Sequence, residues 1–129
     1  MNDEPDLVES VEQCRVDAET RAADLSTVAD SIDQTEVTSH TDVFGALSSE
    51  TRYRIIRYLA ANDDECCVCE LAPLLDVSES AVSHALSVLV SAGLVTRRKD
   101  GRWRYYDVSE RASELLDVIV DESPVEAAV

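Results

Sequence analysis

Three cysteines lie within four residues of one another, at positions 66, 67 and 69 of the 129-residue chain. Buried structural cysteines are usually isolated, so this cluster indicates chemistry rather than packing. Thiolate sulfur binds soft ions such as As(III), Sb(III), Cd(II) or Cu(I) in preference to magnesium or calcium. We therefore predict a site for a soft metal or metalloid at Cys66, Cys67 and Cys69.

The cluster begins a predicted short helix, and helical geometry limits how its sulfurs can meet. On a regular helix Cys66 and Cys69 share a face at about 60°, whereas Cys67 and Cys69 point about 200° apart. An ion held by Cys67 and Cys69 is therefore expected to unwind the first turn. Cys14, in an apolar seam near the N-terminus, is an alternative third ligand, although a lone cysteine in a seam is typical of a small buried apolar group. Oxidation of neighbouring thiols is the alternative chemistry.

A second functional pattern follows on a helix predicted to begin after Ser78 and to run to Ala92, where Gly93 ends it. One face of this helix is apolar. The opposite face carries small hydrogen-bonding side chains and no carboxylate. Hydroxyl and imidazole groups can both donate and accept at base edges in a major groove, although an ordinary solvated helix face would look similar. The predicted DNA-reading residues are Ser80, Ser83, His84 and Ser87.

A predicted hairpin with a basic tip comes next, and an Asp-Gly turn at positions 100–101 is its strongest indication. This turn would place Lys99 opposite Arg102 and Arg97 opposite Arg104. Like charges directly opposite destabilise a hairpin, so contacts with a phosphate backbone explain them better than folding does. A charged edge that prevents strand aggregation would account for only one or two of them. The predicted phosphate contacts are Arg97, Arg98, Lys99, Arg102 and Arg104.

The charge distribution agrees with a DNA contact in the middle of the chain. The net charge of −16 is unusual for a nucleic-acid binder. However, residues 1–51 hold 13 acids and 2 arginines, residues 52–104 hold 8 bases and 7 acids, and residues 105–129 hold 7 acids and 1 arginine. Lys99 is the only lysine. An acidic, lysine-poor surface resembles that of proteins from salt-loving archaea.

The segments around this region predict the domain organisation. In residues 1–36 apolar side chains recur every three or four positions, which favours an amphipathic acidic helix over a disordered acidic tail. We expect this extension to precede one domain over residues 37–129. No stretch is apolar enough to span a membrane and the acidic start is no signal peptide, so we expect a cytoplasmic protein with reduced thiols.

Residues 42–121 resemble the ArsR/SmtB family of metal-responsive repressors. The matching pieces, in order, are FGALSSETRYRII, ECCVCEL, SESAVSHALSVLVSAGLV and RRKDGRWRYY. The resemblance implies a dimeric winged helix-turn-helix, mainly α with a small β-hairpin, whose first and last helices form the dimer interface. It places Cys67 and Cys69 on the paired thiolates of the family's CVC box, which senses arsenite, antimonite or soft divalent metals. Cys66 stands where an apolar residue is common.

The combined prediction is a homodimeric repressor that needs no cofactor to bind double-stranded operator DNA. It would be released when As(III), Sb(III) or a soft divalent metal binds the cysteine box. The helix-turn-helix is predicted at about 69–92, the wing at 94–107 and the dimerisation helix at 109–121. Alternatives are a redox-switched regulator of the same fold and a thiol metal buffer without DNA binding, which the basic wing disfavours. No catalytic arrangement is present, so we expect no enzyme.

Overall fold

The computed structural model describes residues 3–121, with side chains from residue 10 onward. Its contacts divide the chain into two units, Met1–Thr38 and Ser39–Val129, and each is described by itself. The described residues form helices and one antiparallel hairpin, which confirms the mainly helical class. None of these helices is long and apolar enough to cross a membrane. The elements are α1 Asp3–Asp30, α2 Gln34–Leu47, α3 Glu50–Ala61, α4 Val68–Leu75, α5 Glu79–Ser91, β1 Val95–Asp100, β2 Trp103–Val108 and α6 Glu110–Ile119.

The first unit consists mainly of α1, a helix of 28 residues. The predicted acidic helix is therefore present. All of its described side chains, from residue 10 to residue 30, are exposed, and this includes the predicted seam residues Val11 and Leu25. The seam faces solvent in this single chain.

The core of the second unit is built around α3 and α5. Ser49 caps α3 by accepting a hydrogen bond from the amide of Arg52, as its position predicts. Burial of a Leu or Ile side chain contributes about 1.5–3 kcal/mol to the stability of the fold. The fully buried side chains therefore hold α4, the hairpin and α6 against α3 and α5. They are Ile55, Ile56, Leu59, Leu71, Val82, Leu86, Leu89 and Leu94.

The helix-turn-helix lies close to its predicted limits. It consists of α4, a turn in which Asp76 adopts a left-handed conformation, and α5. Ser78 caps α5 by accepting from the amide of Ala81 at 3.1 Å. Gly93, with φ of +75°, turns the chain out of the helix and into β1.

The register of the hairpin differs from the prediction. Asp100 pairs with Trp103 and Lys99 with Arg104, so the two turn residues are Gly101 and Arg102. Glycine at the first of them, with φ of +65°, fits a type II′ turn, whereas the expected Asp-Gly turn would require positive φ at both positions. The predicted pairs Lys99–Arg102 and Arg97–Arg104 are therefore wrong. One like-charge pair, Lys99 opposite Arg104, remains, and Arg97 shares its face.

Candidate functional site

The paired cysteines converge at the start of α4. Cys67 is the N-cap residue, in an extended conformation, and α4 begins only at Val68. The carboxylate of Glu70 accepts a hydrogen bond from the Cys67 amide at 2.9 Å. The sulfurs of Cys67 and Cys69 are joined in a disulfide, with their Cα atoms 5.4 Å apart, whereas reduced thiols were expected at this pair.

This geometry corrects the expectation that an ion at this pair must unwind the helix. That expectation treated Cys67 as a helical residue, whose side chain would point away from Cys69. An N-cap residue has non-helical backbone angles, so the rotation of about 100° per residue does not place its side chain. The two sulfurs meet while α4 stays intact.

Cys66 lies in a different environment from the pair. Its backbone forms an antiparallel bridge with Tyr106, with N–H···O distances of 3.0 and 2.8 Å. Its side chain is buried and accepts a hydrogen bond from Asn62 at 3.3 Å. Burial, followed by the charge of Glu70, raises the pKa of the Cys66 thiol, and the Asn62 hydrogen bond opposes this rise. The thiol lines a hollow of about 450 Å³ whose other residues include Tyr58, Leu71 and Leu74 and neither Cys67 nor Cys69.

The pair occupies its own hollow of about 190 Å³ between the reading helix and the wing. Cys69 is exposed there, whereas Cys67 is buried. The structure thus brings the thiol pair next to three of the predicted DNA-contacting residues. The remaining lining comes from the start of α4 and α5 and from the hairpin, and comprises Val68, Glu79, Ser83, Arg102, Trp103, Arg104 and Tyr106.

The reading helix presents the two faces that its sequence predicts. Val82, Ala85, Leu86 and Leu89 are buried in the core. The opposite face is exposed, and its side chains make no hydrogen bond within the described part of the chain. The exposed face comprises Ser80, Ser83, His84 and Ser87.

Arg98 differs from the other basic residues of the wing. Its guanidinium donates to both carboxylate oxygens of Glu65, at 2.8 to 3.1 Å, and lies over the ring of Tyr105 at 4.9 Å. The hydrogen bond from Arg98 to Glu65 raises the pKa of Arg98. Arg98 therefore connects the segment before the cysteine box to the wing. The other four, Arg97, Lys99, Arg102 and Arg104, are exposed and form no ion pair with residues 10–121.

Sequence reasoning missed Glu65, Trp103 and Tyr106. The ion pair between Glu65 and Arg98 spans 33 residues, so no local pattern predicts it. The alternation of β2 could have marked Tyr106 as inward-facing, since it is buried between half-buried neighbours. Cys14 is exposed on α1, in the first unit. Among the described residues no group of three or more His, Cys, Asp or Glu side chains is placed to hold a metal.

Comparisons with known proteins identify the family. The sequence model of the family described as "bacterial regulatory protein, arsR family" matches residues 49–97, from the cap of α3 into β1. A Halobacterium salinarum protein that carries the name of an arsenical resistance operon repressor, ArsR, is 61% identical over 74 residues, which cover 57% of this chain and 57% of that relative. A second H. salinarum protein, named as the arsenical resistance operon repressor ArsR2, is 46% identical over 90 residues, which cover 70% of this chain and 76% of the relative. The source of both relatives agrees with the acidic, lysine-poor composition.

A solved structure supports the architecture. The homodimeric winged helix-turn-helix DNA-binding domain of Mb0332 from Mycobacterium bovis superposes with a TM-score of 0.61 at 28% identity, covering 69% of this chain and 84% of that domain. The predicted winged helix-turn-helix is confirmed. The chain therefore belongs to the ArsR family, whose members are DNA-binding transcriptional regulators and not enzymes.

Proposed function

We propose that this protein is a homodimeric repressor of the ArsR/SmtB type that leaves its operator when arsenite, antimonite or a soft divalent metal binds Cys67 and Cys69. The observation that carries this proposal is the meeting of the two sulfurs in a hollow that Ser83 and Arg104 also line. The names of the two relatives, both repressors of arsenical resistance operons, support the choice of metalloid.

Capture of arsenite by the reduced pair requires no oxidant. Arsenite is As(OH)₃ near neutral pH. Each thiol of Cys67 and Cys69 exchanges its S–H bond and one As–OH bond for an As–S bond and a molecule of water. Two waters leave, the arsenic stays As(III), and one hydroxyl remains on it. Sulfur ligands favour such soft ions over the hard cations abundant in cells.

The experiment that tests the proposal starts from a duplex selected by the protein from a random-sequence pool. We expect an inverted repeat that binds two chains. Arsenite, antimonite, cadmium and zinc are then titrated onto the complex, and release is followed by fluorescence anisotropy. The first three should release the DNA at lower concentrations than zinc. Retention of the duplex at saturating concentrations of all four ions would refute the effector assignment.

The proposed homodimer is supported by apolar side chains exposed at the two ends of the second unit. Phe44 on α2 is 67% exposed, and Val118 and Ile119 on α6 are 76% and 56% exposed. Large exposed apolar groups mark interaction surfaces. An isologous dimer through α2 and α6 would bury them and present two copies of α5 to the two half-sites of an operator.

The identity of a third sulfur ligand is a separate prediction. The sequence predicts Cys66 as this ligand, with Cys14 as the alternative. For the Cys66 sulfur to join the pair, its segment would have to leave the bridge with Tyr106. We therefore expect Cys66→Ser to keep the As–S coordination number of the arsenite-loaded protein, as measured by X-ray absorption. A number that falls by one in Cys66→Ser, but not in Cys14→Ser, would establish Cys66 as the third ligand.

A redox-switched repressor is the second candidate, and the disulfide between Cys67 and Cys69 favours it. Two thiols would lose two protons and two electrons to an oxidant such as hydrogen peroxide, which becomes two waters. Peroxide added to the reduced complex without metal should then release the duplex, and dithiothreitol should restore binding. If peroxide oxidises the pair while the duplex stays bound, this candidate fails.

A further inference from the structure

We infer that bound DNA covers the thiol pair, so that operator and effector compete for one place on the protein and the effector is captured only by free repressor. This inference rests on the proposed function and adds the order of events to it. Its basis is that the pair, the reading helix and the wing tip line a single hollow.

The positions of the reading helix and the wing fix where a DNA strand must run. The reading helix, about 10–12 Å across with its side chains, fills a major groove about 12 Å wide. A wing that contacts the flanking phosphates lies beyond the strand that bounds this groove. That strand therefore passes between α5 and the hairpin tip. The hollow with Cys67 and Cys69 lies between the same two elements, with Glu79 and Ser83 on one side and Arg104 on the other.

The surroundings of the pair are anchored to the hairpin. The segment before Cys67 is tied to β2 by the bridge between Cys66 and Tyr106 and to β1 by the ion pair between Glu65 and Arg98. Hydrogen bonds thus connect the cysteine box to both strands of the wing. An effector cannot reach the pair in the complex by lifting this segment without breaking these contacts.

Capture of the effector prevents DNA binding without any rearrangement of α4. Because the two sulfurs already meet with α4 intact, their bridging by an ion does not require the helix to unwind. Capture does place an arsenic atom and its hydroxyl in a hollow of about 190 Å³. The added atoms occupy space that the phosphate strand needs. Loss of DNA binding then follows from steric exclusion at the contact surface.

Protection of the cysteines from alkylation tests this inference without any metalloid. Reduced protein is treated with N-ethylmaleimide, alone or with the selected duplex, and labelling is followed at each cysteine by tandem mass spectrometry. We expect labelling of Cys69 to slow by about a hundredfold, because duplex at roughly 100 times its Kd leaves about 1% of the repressor free. Cys14, exposed on α1, is the internal control and should be labelled at the same rate in both samples. Equal labelling of Cys69 with and without duplex would overturn the inference.

The kinetics of release give a second, independent test. The rate at which labelled duplex dissociates is first measured by adding excess unlabelled duplex. Arsenite at increasing concentrations should then release the duplex no faster than this spontaneous rate. A rate that exceeds it and rises with arsenite would show that arsenite attacks the complex, and would overturn the inference. Failure of arsenite to release the duplex at equilibrium would instead refute the effector assignment, and protein that selects no duplex would refute both proposals.

Discussion

Cys69→Ser protein should bind its operator as tightly as the unmodified protein and stay bound when arsenite is added. The serine hydroxyl is close to the thiol in size, and Cys69 is exposed, so the fold should be unaffected. A hydroxyl is a poor ligand for a soft ion. Arsenite would then no longer lower the DNA affinity. The coupling free energy between arsenite and DNA binding, typically about 1–3 kcal/mol, or about 5–150-fold in DNA affinity, would be lost completely. Anisotropy titrations with and without arsenite measure it directly.

Cys67→Ser should behave in the same way, for an added structural reason. Cys67 is the N-cap of α4, and serine is among the preferred residues at that position. This change should therefore preserve or strengthen the start of the helix while removing one sulfur. Cys14→Ser is the matched control, with the same substitution on α1, and should remain responsive. If either Cys67→Ser or Cys69→Ser fails to bind DNA, the pair has a structural role and the sensing mechanism is refuted.

Loss of the phosphate contacts should weaken binding to every sequence alike. We expect Arg97→Ala with Arg104→Ala to lower the affinities for selected and random duplexes by the same factor. It should also reduce the slope of log K against log salt by about 2, since each phosphate contact adds about 0.9 to it. Binding measured between low and moderate salt gives the slope.

Two comparisons make this prediction specific. Arg98→Ala removes the same charge from the same hairpin, but Glu65 already holds that guanidinium, so the slope should change less than it does for Arg104→Ala. Ser83→Ala or His84→Ala should leave the slope unchanged and reduce the preference for the selected duplex, because base contacts carry about 1–3 kcal/mol of discrimination. An unchanged slope in the double variant would refute the assignment of these arginines to phosphate.

The sequence predicted the elements better than it predicted how they meet. The cap at Ser78 and the apolar stripe of α5 are local patterns, and the structure contains both. The position of the hairpin was also predicted from a local pattern. Its register, however, depended on the type of turn that forms around Gly101. Moving the turn by one residue changed the cross-strand partner of Lys99 from Arg102 to Arg104.

The cysteine box shows the same limit at the boundary of a helix. Helix ends are the least certain part of a prediction from sequence, and moving Cys67 from the first turn to the cap changed its relation to Cys69 from opposed to adjacent. The ties of this segment to the wing join residues more than 30 positions apart, such as Glu65 and Arg98. Periodicity and propensity describe neighbours along the chain, and they carry no information on such pairs.

The exposed face of α5 has a consequence for the salinity in which such a protein can select its operator. That face, from Ser80 to Ser87, carries hydroxyls and one imidazole and no carboxylate. At about 1 M salt the screening length falls to about 3 Å, so repulsion between the acidic flanks and DNA fades, and so does the attraction between wing and phosphates. Hydrogen bonds to base edges act only at contact distance and keep most of their strength. Brine should therefore remove nonspecific binding faster than specific binding, and so improve the discrimination between an operator and the rest of the genome.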